Sequence, residues 1–196
     1  MEHIEHVMVV DADYVDSVAF NLTVNFERML ERRVPPADMA RWVECVALDG
    51  GLRAAANQQV QVVLVHDSSR SRLANFMPSD FNTELQGQAF KSNLGEFCFQ
   101  AVQTEAVVTK ERLLLDTVQM VCTQPEVKRL MVVVADELTS SVGRVLRQAP
   151  EQMVTTVFTM QPQSGGAFRQ QMLGYSLMAA LGISSAEIDS KLPDRG

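Results

Sequence analysis

Acidic side chains follow two apolar segments of this sequence, and they are the residues best suited to chemistry. The run His6–Val10 is followed by Asp11 and Asp13, and the run Leu130–Val134 is followed, after one alanine, by Asp136. Two carboxylates a few ångströms apart repel each other unless one is protonated or a cation lies between them. Mg²⁺ and Mn²⁺ are oxygen-binding ions that one or two carboxylates hold in proteins. If the two segments are neighbouring strands, we therefore expect a divalent-metal site there.

A further carboxylate, Asp116, lies within the apolar segment KERLLLDTVQMV. Aspartate has a poor intrinsic preference for helix interiors, so its presence there asks for a reason. An ion pair with Arg112, four residues earlier, is one explanation, and helix capping is an alternative explanation for the other carboxylates. The placement of all of them together favours a shared site. We expect Asp11, Asp116 and Asp136 to converge as its centre.

Apolar periodicity predicts an α/β fold with a mainly parallel five-stranded sheet and helices on both faces. Short apolar runs of the kind that form strands buried on both faces occur at His6–Val10, Val60–Val65, Phe97–Val102, Leu130–Val134 and Met153–Phe158. Segments with helical spacing alternate with them, at Val15–Glu31, Pro36–Leu48, Thr109–Cys122, Leu138–Arg147 and Ala167–Leu181. Such alternation is typical of three-layer α/β domains.

The chain is predicted to form a single domain over residues 1–183, followed by a polar tail over 184–196. One long polar stretch, Ser68–Gly95, interrupts the alternation of strands and helices. Connections of that length contain an element of their own or have a function. The sequence Pro78-Ser79-Asp80 is suited to begin a short helix there.

The charge balance argues against a non-specific nucleic-acid-binding protein, and the cysteines argue against a cysteine-based metal site. Seventeen Lys and Arg residues against 24 Asp and Glu give a net charge of -7, which argues against tight non-specific binding to nucleic acid. The three cysteines are too far apart in sequence for a metal-binding pair, and the N-terminus lacks the features of a signal peptide. No apolar run approaches the length of a membrane span. We expect a cytoplasmic protein with no membrane anchor.

The acidic motifs resemble those of the NYN group within the PIN-like nuclease superfamily. That group has an apolar strand ending in D-x-D-N, which VMVVDADY matches at Asp11 and Asp13. It also has an Asp in the helix before the fourth strand, which LLLDTVQMV matches at Asp116, and a strand ending in S-G-D-x-D-F, which VVVADELTS matches at Asp136. The resemblance extends from about Val7 to Leu181.

This sequence departs from the family pattern at several positions. Tyr14 stands in place of the Asn, Val134-Ala135 in place of Ser-Gly, and Leu138 in place of the second Asp of the last motif. The resemblance implies a parallel sheet with an acidic metal site and Mg²⁺- or Mn²⁺-dependent cleavage of RNA. It implies Asp11, Asp116 and Asp136 as metal ligands and catalytic residues, with Asp13 as an additional ligand. The missing Asp leaves fewer charges to hold two ions, which also fits a degenerate, inactive site.

Two other interpretations stay open. The segment Asp11–Val15 also resembles the D-x-D-x-[TV] motif of the haloacid-dehalogenase-like phosphatases, which implies Asp11 as nucleophile and Asp13 as general acid–base. Lys110, together with Ser68 or Ser69 and the pair Asp136-Glu137, would then complete the site, although a helix directly after Asp13 leaves no room for that family's flap. Alternatively, an acidic α/β scaffold binds a protein partner or forms a homo-oligomer, since 11 Met and nine Phe can supply an apolar surface.

Two polar segments are candidates for contacts with substrate phosphates. Arg70 and Arg72 follow the second predicted strand, and Ser164 precedes Gly165-Gly166 after the fifth. Arginine side chains and backbone N–H groups are the usual phosphate contacts of nucleic-acid-binding proteins. We therefore expect Arg70, Arg72 and Ser164 to contact the substrate.

Overall fold

A seven-stranded, mostly parallel sheet forms the centre of the protein, as seen in a computed structural model that describes residues 4–192. The strands are β1 (His6–Asp11), β3 (Gln59–His66), β5 (Ala89–Ser92), β6 (Gly95–Gln103), β7 (Arg129–Val133), β8 (Val154–Thr159) and β9 (Arg169–Met172). The α/β class is confirmed, and all five predicted strands are present. The predicted number of five is wrong, because β5 and β9 are short edge strands of polar sequence that a search for apolar runs does not detect.

The order of the strands reverses direction at β1. The sheet runs β5-β6-β3-β1-β7-β8-β9, so the chain moves outward from β1 to one edge and then returns to its other side. Only β5 is antiparallel to its neighbour. In open α/β sheets, ligands bind beyond the carboxyl ends of the strands at such a reversal. The topology therefore places the most favourable site where β1 and β7 end side by side.

Within residues 4–192, six α-helices cover the two faces of the sheet. They are α1 (Ala12–Leu30), α2 (Met39–Asp49), α3 (Lys110–Cys122), α4 (Thr139–Leu146), α5 (Leu173–Ala180) and α6 (Ser185–Asp189). Side chains of α1, α2 and α5 pack in one apolar cluster with the sheet, and those of α3 and α4 pack in a second cluster on the other face. The sheet is thus sandwiched between helices, as expected for strands that are buried throughout.

Two predicted helix starts are wrong, and each is explained by an aspartate cap. Asp11 caps α1, so the helix begins at Ala12 and not at Val15. The second helix begins at Met39 and not at Pro36, because the Asp38 carboxylate accepts a hydrogen bond from the backbone N–H of Arg41. The residues before that cap form a short strand, β2 (Ala37–Asp38), paired with β4 (Phe76–Met77) in a separate two-stranded sheet.

The last predicted helix, Ala167–Leu181, is wrong in its first half. Residues Arg169–Met172 pair with β8 as the parallel strand β9, and helix α5 begins only at Leu173. The sequence RQQM exposes every second side chain, which is the period of a strand and not of a helix.

The polar stretch over 68–95 is ordered and contains short elements. The predicted short helix is confirmed as a single π-helical turn, Phe81–Leu85, capped by Asp80. Asp16 of α1 holds the earlier part of the stretch, since its carboxylate accepts hydrogen bonds from the backbone N–H groups of Ala74 and Asn75 at 3.0 and 2.8 Å. Asp16 is buried, so these bonds fix the stretch against the helix that begins at the functional edge of the sheet.

The C-terminal segment, predicted to be a polar tail over 184–196, contains α6 in its first part. Glu187 of this helix accepts a hydrogen bond from the Arg32 guanidinium, with Arg32 Nη2 and Glu187 Oε2 2.9 Å apart. Residues 193–196 lie outside the described part of the chain. Within the described residues, none of the helices is both long and apolar enough to cross a membrane.

Replacing Asp16 by Ala should destabilise the protein by about 2–3 kcal/mol, because two backbone N–H groups lose their partner in a partly buried environment. The free energy of unfolding from urea denaturation measures this. Asp38→Ala is the control, because it removes an exposed helix cap and should cost about 1 kcal/mol. Equal losses in the two variants would show that Asp16 does not anchor the 68–95 stretch.

Candidate functional site

Two buried aspartates lie at the carboxyl end of the central strand. Asp11 is the last residue of β1, and its Oδ1 accepts a hydrogen bond from the backbone N–H of Tyr14 at 3.0 Å, so it also caps α1. Asp13 lies in the first turn of the same helix. Asp11 is 3% exposed and Asp13 is 8% exposed. Burial of two carboxylates this close in sequence is costly unless a cation or hydrogen-bond donors compensate it.

The ammonium group of Lys110 lies between these two carboxylates. Its Nζ is 3.1 Å from Oδ1 of Asp11 and 3.4 Å from Oδ2 of Asp13. Lys110 is the first residue of α3, the helix that follows β6 and leads back across the sheet to β7. The three charged groups therefore meet at the point where the strand order reverses.

Asp13 also connects the site to the loop after β3. Its Oδ2 accepts a hydrogen bond from the backbone N–H of Asp67 at 2.7 Å, and its Oδ1 lies 3.9 Å from Nε of Arg70. That Oδ1 is buried and has no hydrogen-bond partner within residues 4–192. A buried carboxylate oxygen that accepts no hydrogen bond is costly, and the ion pair with the Arg70 guanidinium offsets part of that cost.

Burial and the ion pair shift the pKa in opposite directions, both for Asp11 and for Lys110. Burial raises the pKa of Asp11 above 3.8, and the attraction of Lys110 and the hydrogen bond from Tyr14 reverse this only in part. Burial also opposes the charge of Lys110, but the attraction of Asp11 and Asp13 outweighs it and raises the Lys110 pKa above 10.5. The charged form of Lys110 is thus stabilised overall, because it faces two carboxylates. The charged form of Asp11 remains destabilised by burial.

The phenol of Tyr14 lies in the same negative environment. Burial, together with the charges of Asp136, Glu137 and Asp11, raises its pKa to about 12. Tyr14 is therefore a neutral phenol at physiological pH, able to donate a hydrogen bond but not to act as a base.

Asp136 lies just beyond the end of β7, which pairs directly with β1, so the condition set for neighbouring carboxylates is met. Its Oδ1 accepts a hydrogen bond from the backbone N–H of Met160, and its Oδ2 accepts one from Gln161, at 2.9 and 3.1 Å. Both oxygens thus hold the loop after β8 to the end of β7. Asp136 contributes negative charge near Tyr14, but its contacts are those of a structural carboxylate.

Three other predicted residues do not contact the Asp11–Asp13–Lys110 cluster. Asp116 is about half exposed and pairs with Arg112 at 3.0 Å, as the ion-pair explanation predicts. Arg72 donates to the Ser79 hydroxyl at 3.1 Å. Ser164 lies in the wall of a separate cavity beside α4. Of the predicted phosphate contacts, only Arg70 approaches the cluster.

The cluster fits a cation held by two carboxylates and not by three. Among residues 4–192, no three His, Cys, Asp or Glu side chains are arranged to hold a metal ion. Mg²⁺ is commonly held by one or two carboxylates, with water and substrate phosphates as its remaining ligands. Negative charge is also in excess here, since Lys110 and Arg70 face the carboxylates of Asp11, Asp13 and Asp67, and Asp136 and Glu137 add negative charge near Tyr14.

Lys110 is the central residue that the metal-site interpretation of the sequence missed. It occupies the first position of α3, where the helix dipole favours anions and disfavours cations. A lysine in that position needs a compensating partner, and this is the signal in the sequence that could have identified it. Its importance for the site had appeared only in the phosphatase interpretation.

The phosphatase interpretation agrees with the structure in one respect and disagrees in another. A lysine amine lies beside Asp11, as that interpretation requires. However, α1 begins immediately after Asp11, which leaves no room for a flap between them. No Ser or Thr hydroxyl of the described residues donates a hydrogen bond to Asp11; its only hydrogen-bonded backbone donor is Tyr14 N–H.

The fold and this cluster define an α/β protein with an acidic, lysine-bridged site at the reversal of its sheet. A family model described as "Family of unknown function (DUF6621)" matches residues 1–188, and the chain belongs to that family. A search of curated proteins found no match.

Replacing Lys110 by Met should lower the free energy of unfolding by about 2–3 kcal/mol at neutral pH, because two buried carboxylates lose their counter-ion. The loss should shrink as the pH falls through the raised pKa of Asp11, since a protonated Asp11 no longer needs the lysine. Urea denaturation at several pH values measures both effects.

The control for this prediction is Lys128→Met, which removes an exposed lysine paired with Glu5 and should change stability by less than about 1 kcal/mol. A Lys110 variant that behaves like this control at every pH would contradict the role of Lys110 as the counter-ion.

Proposed function

We propose that this protein is a Mg²⁺- or Mn²⁺-dependent phosphodiesterase that acts on RNA, with Asp11 and Asp13 as the residues that hold the ion. The observation that carries the proposal is the pair of buried carboxylates, Asp11 and Asp13, bridged by the ammonium group of Lys110 at the carboxyl end of the central strand. The position is the one at which α/β sheets bind ligands, and the pair matches the first motif of the NYN group.

The choice of a cation-dependent reaction rests on charge. A phosphodiester is an anion, and the carboxylates around this site outnumber the two neighbouring cations. A divalent ion, when bound, lowers the pKa of a bound water and offsets the charge that develops on the phosphate oxygens. Without such an ion, Asp11 and Asp13 would repel the substrate.

The chain's own residues then have separate roles. Asp11 and Asp13 bind the ion, and Oδ1 of Asp13, which accepts no hydrogen bond from the described residues, is the oxygen that gains a ligand contact. The ammonium group of Lys110 and the guanidinium of Arg70 are the positive groups closest to these carboxylates and are suited to contact phosphate oxygens. Tyr14 donates a hydrogen bond as a neutral phenol, in the place of the Asn of the NYN motif.

A second candidate function is an aspartate-based phosphatase, and the observation that favours it is the Lys110 amine beside Asp11. In that reaction Lys110 would be essential, because it would neutralise the charge of the phosphate during attack by Asp11. In the phosphodiesterase, by contrast, Lys110 competes with the metal ion for the carboxylates. The same lysine therefore separates the two candidates.

Asp11→Asn and Asp13→Asn should each weaken Mn²⁺ binding by at least about tenfold, because each removes an anionic ligand while keeping the shape of the side chain. Asn also caps a helix well, so α1 should stay intact. Calorimetric titration with Mn²⁺ measures binding, and cleavage of a labelled single-stranded RNA measures activity. Asp116→Asn tests the third ligand that the NYN resemblance implies, and exposed Asp38→Asn is the control.

Saturable Mn²⁺ binding that falls in both site variants, with RNA cleavage lost in parallel, would support the phosphodiesterase. Turnover of a phosphate monoester that Lys110→Met abolishes would instead favour the phosphatase. Absence of Mn²⁺ binding at millimolar concentration would contradict the metal site and favour a protein-binding scaffold.

Mn²⁺ affinity should decline with falling pH earlier than for an ordinary aspartate site, because burial raises the pKa of Asp11. Protonation of Asp11 removes one ligand charge, so affinity is full above its pKa and lost below it. In Lys110→Met the decline should begin at a still higher pH, since Lys110 lowers the pKa of Asp11. At high pH this variant should bind Mn²⁺ more tightly than the wild type. Titrations across pH 4–8 check both shifts, and a pH dependence unchanged by the substitution would exclude Asp11 as a ligand.

A further inference from the structure

A cavity of about 400 Å³ lies between α4 and the loop that connects β8 to β9. Arg144 and Arg147 line it from the helix, and the segment Ser164–Gly166 lines the opposite side. Asp136 holds the same loop through the backbone N–H groups of Met160 and Gln161. The cavity therefore lies at the carboxyl edge of β7 and β8, beside the edge that carries Asp11.

The two arginines of this cavity have no partner among the described residues. Neither guanidinium makes a hydrogen bond or an ion pair with any residue in 4–192, as is also true of exposed Arg33 and Arg41, but Arg144 and Arg147 lie together in one cavity wall. Residues three or four apart lie on one face of a helix, so Ser140 adds a hydroxyl to the same face as Arg144 and Arg147. The result is a concentration of unpaired donors.

A buried hydroxyl in the wall of the cavity also lacks a partner. Thr139 is 4% exposed, and its Oγ1 makes no hydrogen bond with any described residue. Thr139 is the first residue of α4, and its backbone N–H already donates to the carbonyl of Asp136 in the 3₁₀ turn Asp136–Leu138 that precedes the helix, so the hydroxyl is the group of this residue without a partner. Buried hydroxyls nearly always have a partner, so this hydroxyl is available to an acceptor that enters the cavity.

The loop opposite the helix is shaped by close packing. Gly166 has a φ of +110°, and a Cβ added there would lie 2.5 Å from Cε1 of Phe168. The same ring packs against Gly143 of α4, where an added Cβ would lie 2.9 Å from it. Phe168 thus fixes the glycine loop against the helix, which holds the two walls of the cavity at a set distance.

From these observations we propose that the cavity binds a phosphate group through Arg144, Arg147 and the Thr139 hydroxyl. In proteins, phosphate oxygens accept hydrogen bonds from guanidinium groups and hydroxyls. The assignment of this phosphate to an RNA molecule rests on the proposed function. Neighbouring β-strands of the sheet are about 4.8 Å apart. An RNA molecule cleaved at Asp11 can therefore place another of its phosphates in this cavity.

Phosphate binding can be tested without metal, which separates this proposal from the proposed function. In a chelating buffer, inorganic phosphate should cause saturable shifts of the Gly165 and Gly166 amide resonances in NMR spectra. Arg144→Gln with Arg147→Gln should weaken binding by about tenfold or more, because both charged donors are lost. The control is Arg33→Gln with Arg41→Gln, which removes the same charge from exposed positions away from α4. The Asp11→Asn variant should bind phosphate as the wild type does.

Thr139→Val distinguishes a ligand contact from a structural defect. It removes the hydroxyl at nearly constant volume, so the protein should be at least as stable, while phosphate affinity should fall severalfold. Short RNA with and without a 5′-phosphate identifies the source: preference for the phosphorylated strand indicates a terminal phosphate, and equal binding indicates backbone phosphates. Absence of saturable shifts in the wild type, or equal affinity of the Arg144/Arg147 variant and its control, would overturn the proposal.

Discussion

The contact of Lys110 with Asp11 and Asp13 is the interaction on which the functional edge of this protein depends. It joins the end of β1, the first turn of α1 and the first turn of α3, and Asp13 extends it to the loop after β3. Two carboxylates buried at the end of an apolar strand would be untenable without a cation. The lysine meets that requirement in the protein alone. Under the proposed function, a divalent ion would meet it with more charge.

The topology explains why segments distant in sequence meet at this contact. Because β3 and β6 lie on one side of β1 and β7 lies on the other, the helix from β6 to β7 must cross over the central strand. Its first residue, Lys110, begins near the carboxyl ends of the strands and comes within 3.1 Å of Asp11. The same reversal puts Asp136 beside Tyr14, although Asp136 serves to hold the loop after β8. A change of strand order would separate these groups.

Much of this framework follows from the sequence, and the parts that do not have physical reasons. The buried strands β1, β3, β6, β7 and β8 were predictable because strands covered on both faces must be apolar throughout. The position of Asp11 and Asp13 followed from where β1 ends. The edge strands β5 and β9 carry polar residues, so no apolar pattern marks them. Asp116 was expected to join the site because of its place in an apolar helix. Which side of a helix faces a site depends on packing, however. In the structure Asp116 is partly exposed and pairs with Arg112.

The edge of the sheet thus combines regions of opposite charge on one surface. Around Asp11 carboxylates are in excess, whereas beside α4 two arginines lack any counter-ion within the described residues. A protein that bound only cations would gain nothing from the unpaired arginines, and one that bound only anions would not bury carboxylates beside them. A polyanion that reaches the acidic region through a bound cation and the basic region directly would satisfy both. The acidic net charge of the chain disfavours a polyanion elsewhere on the surface.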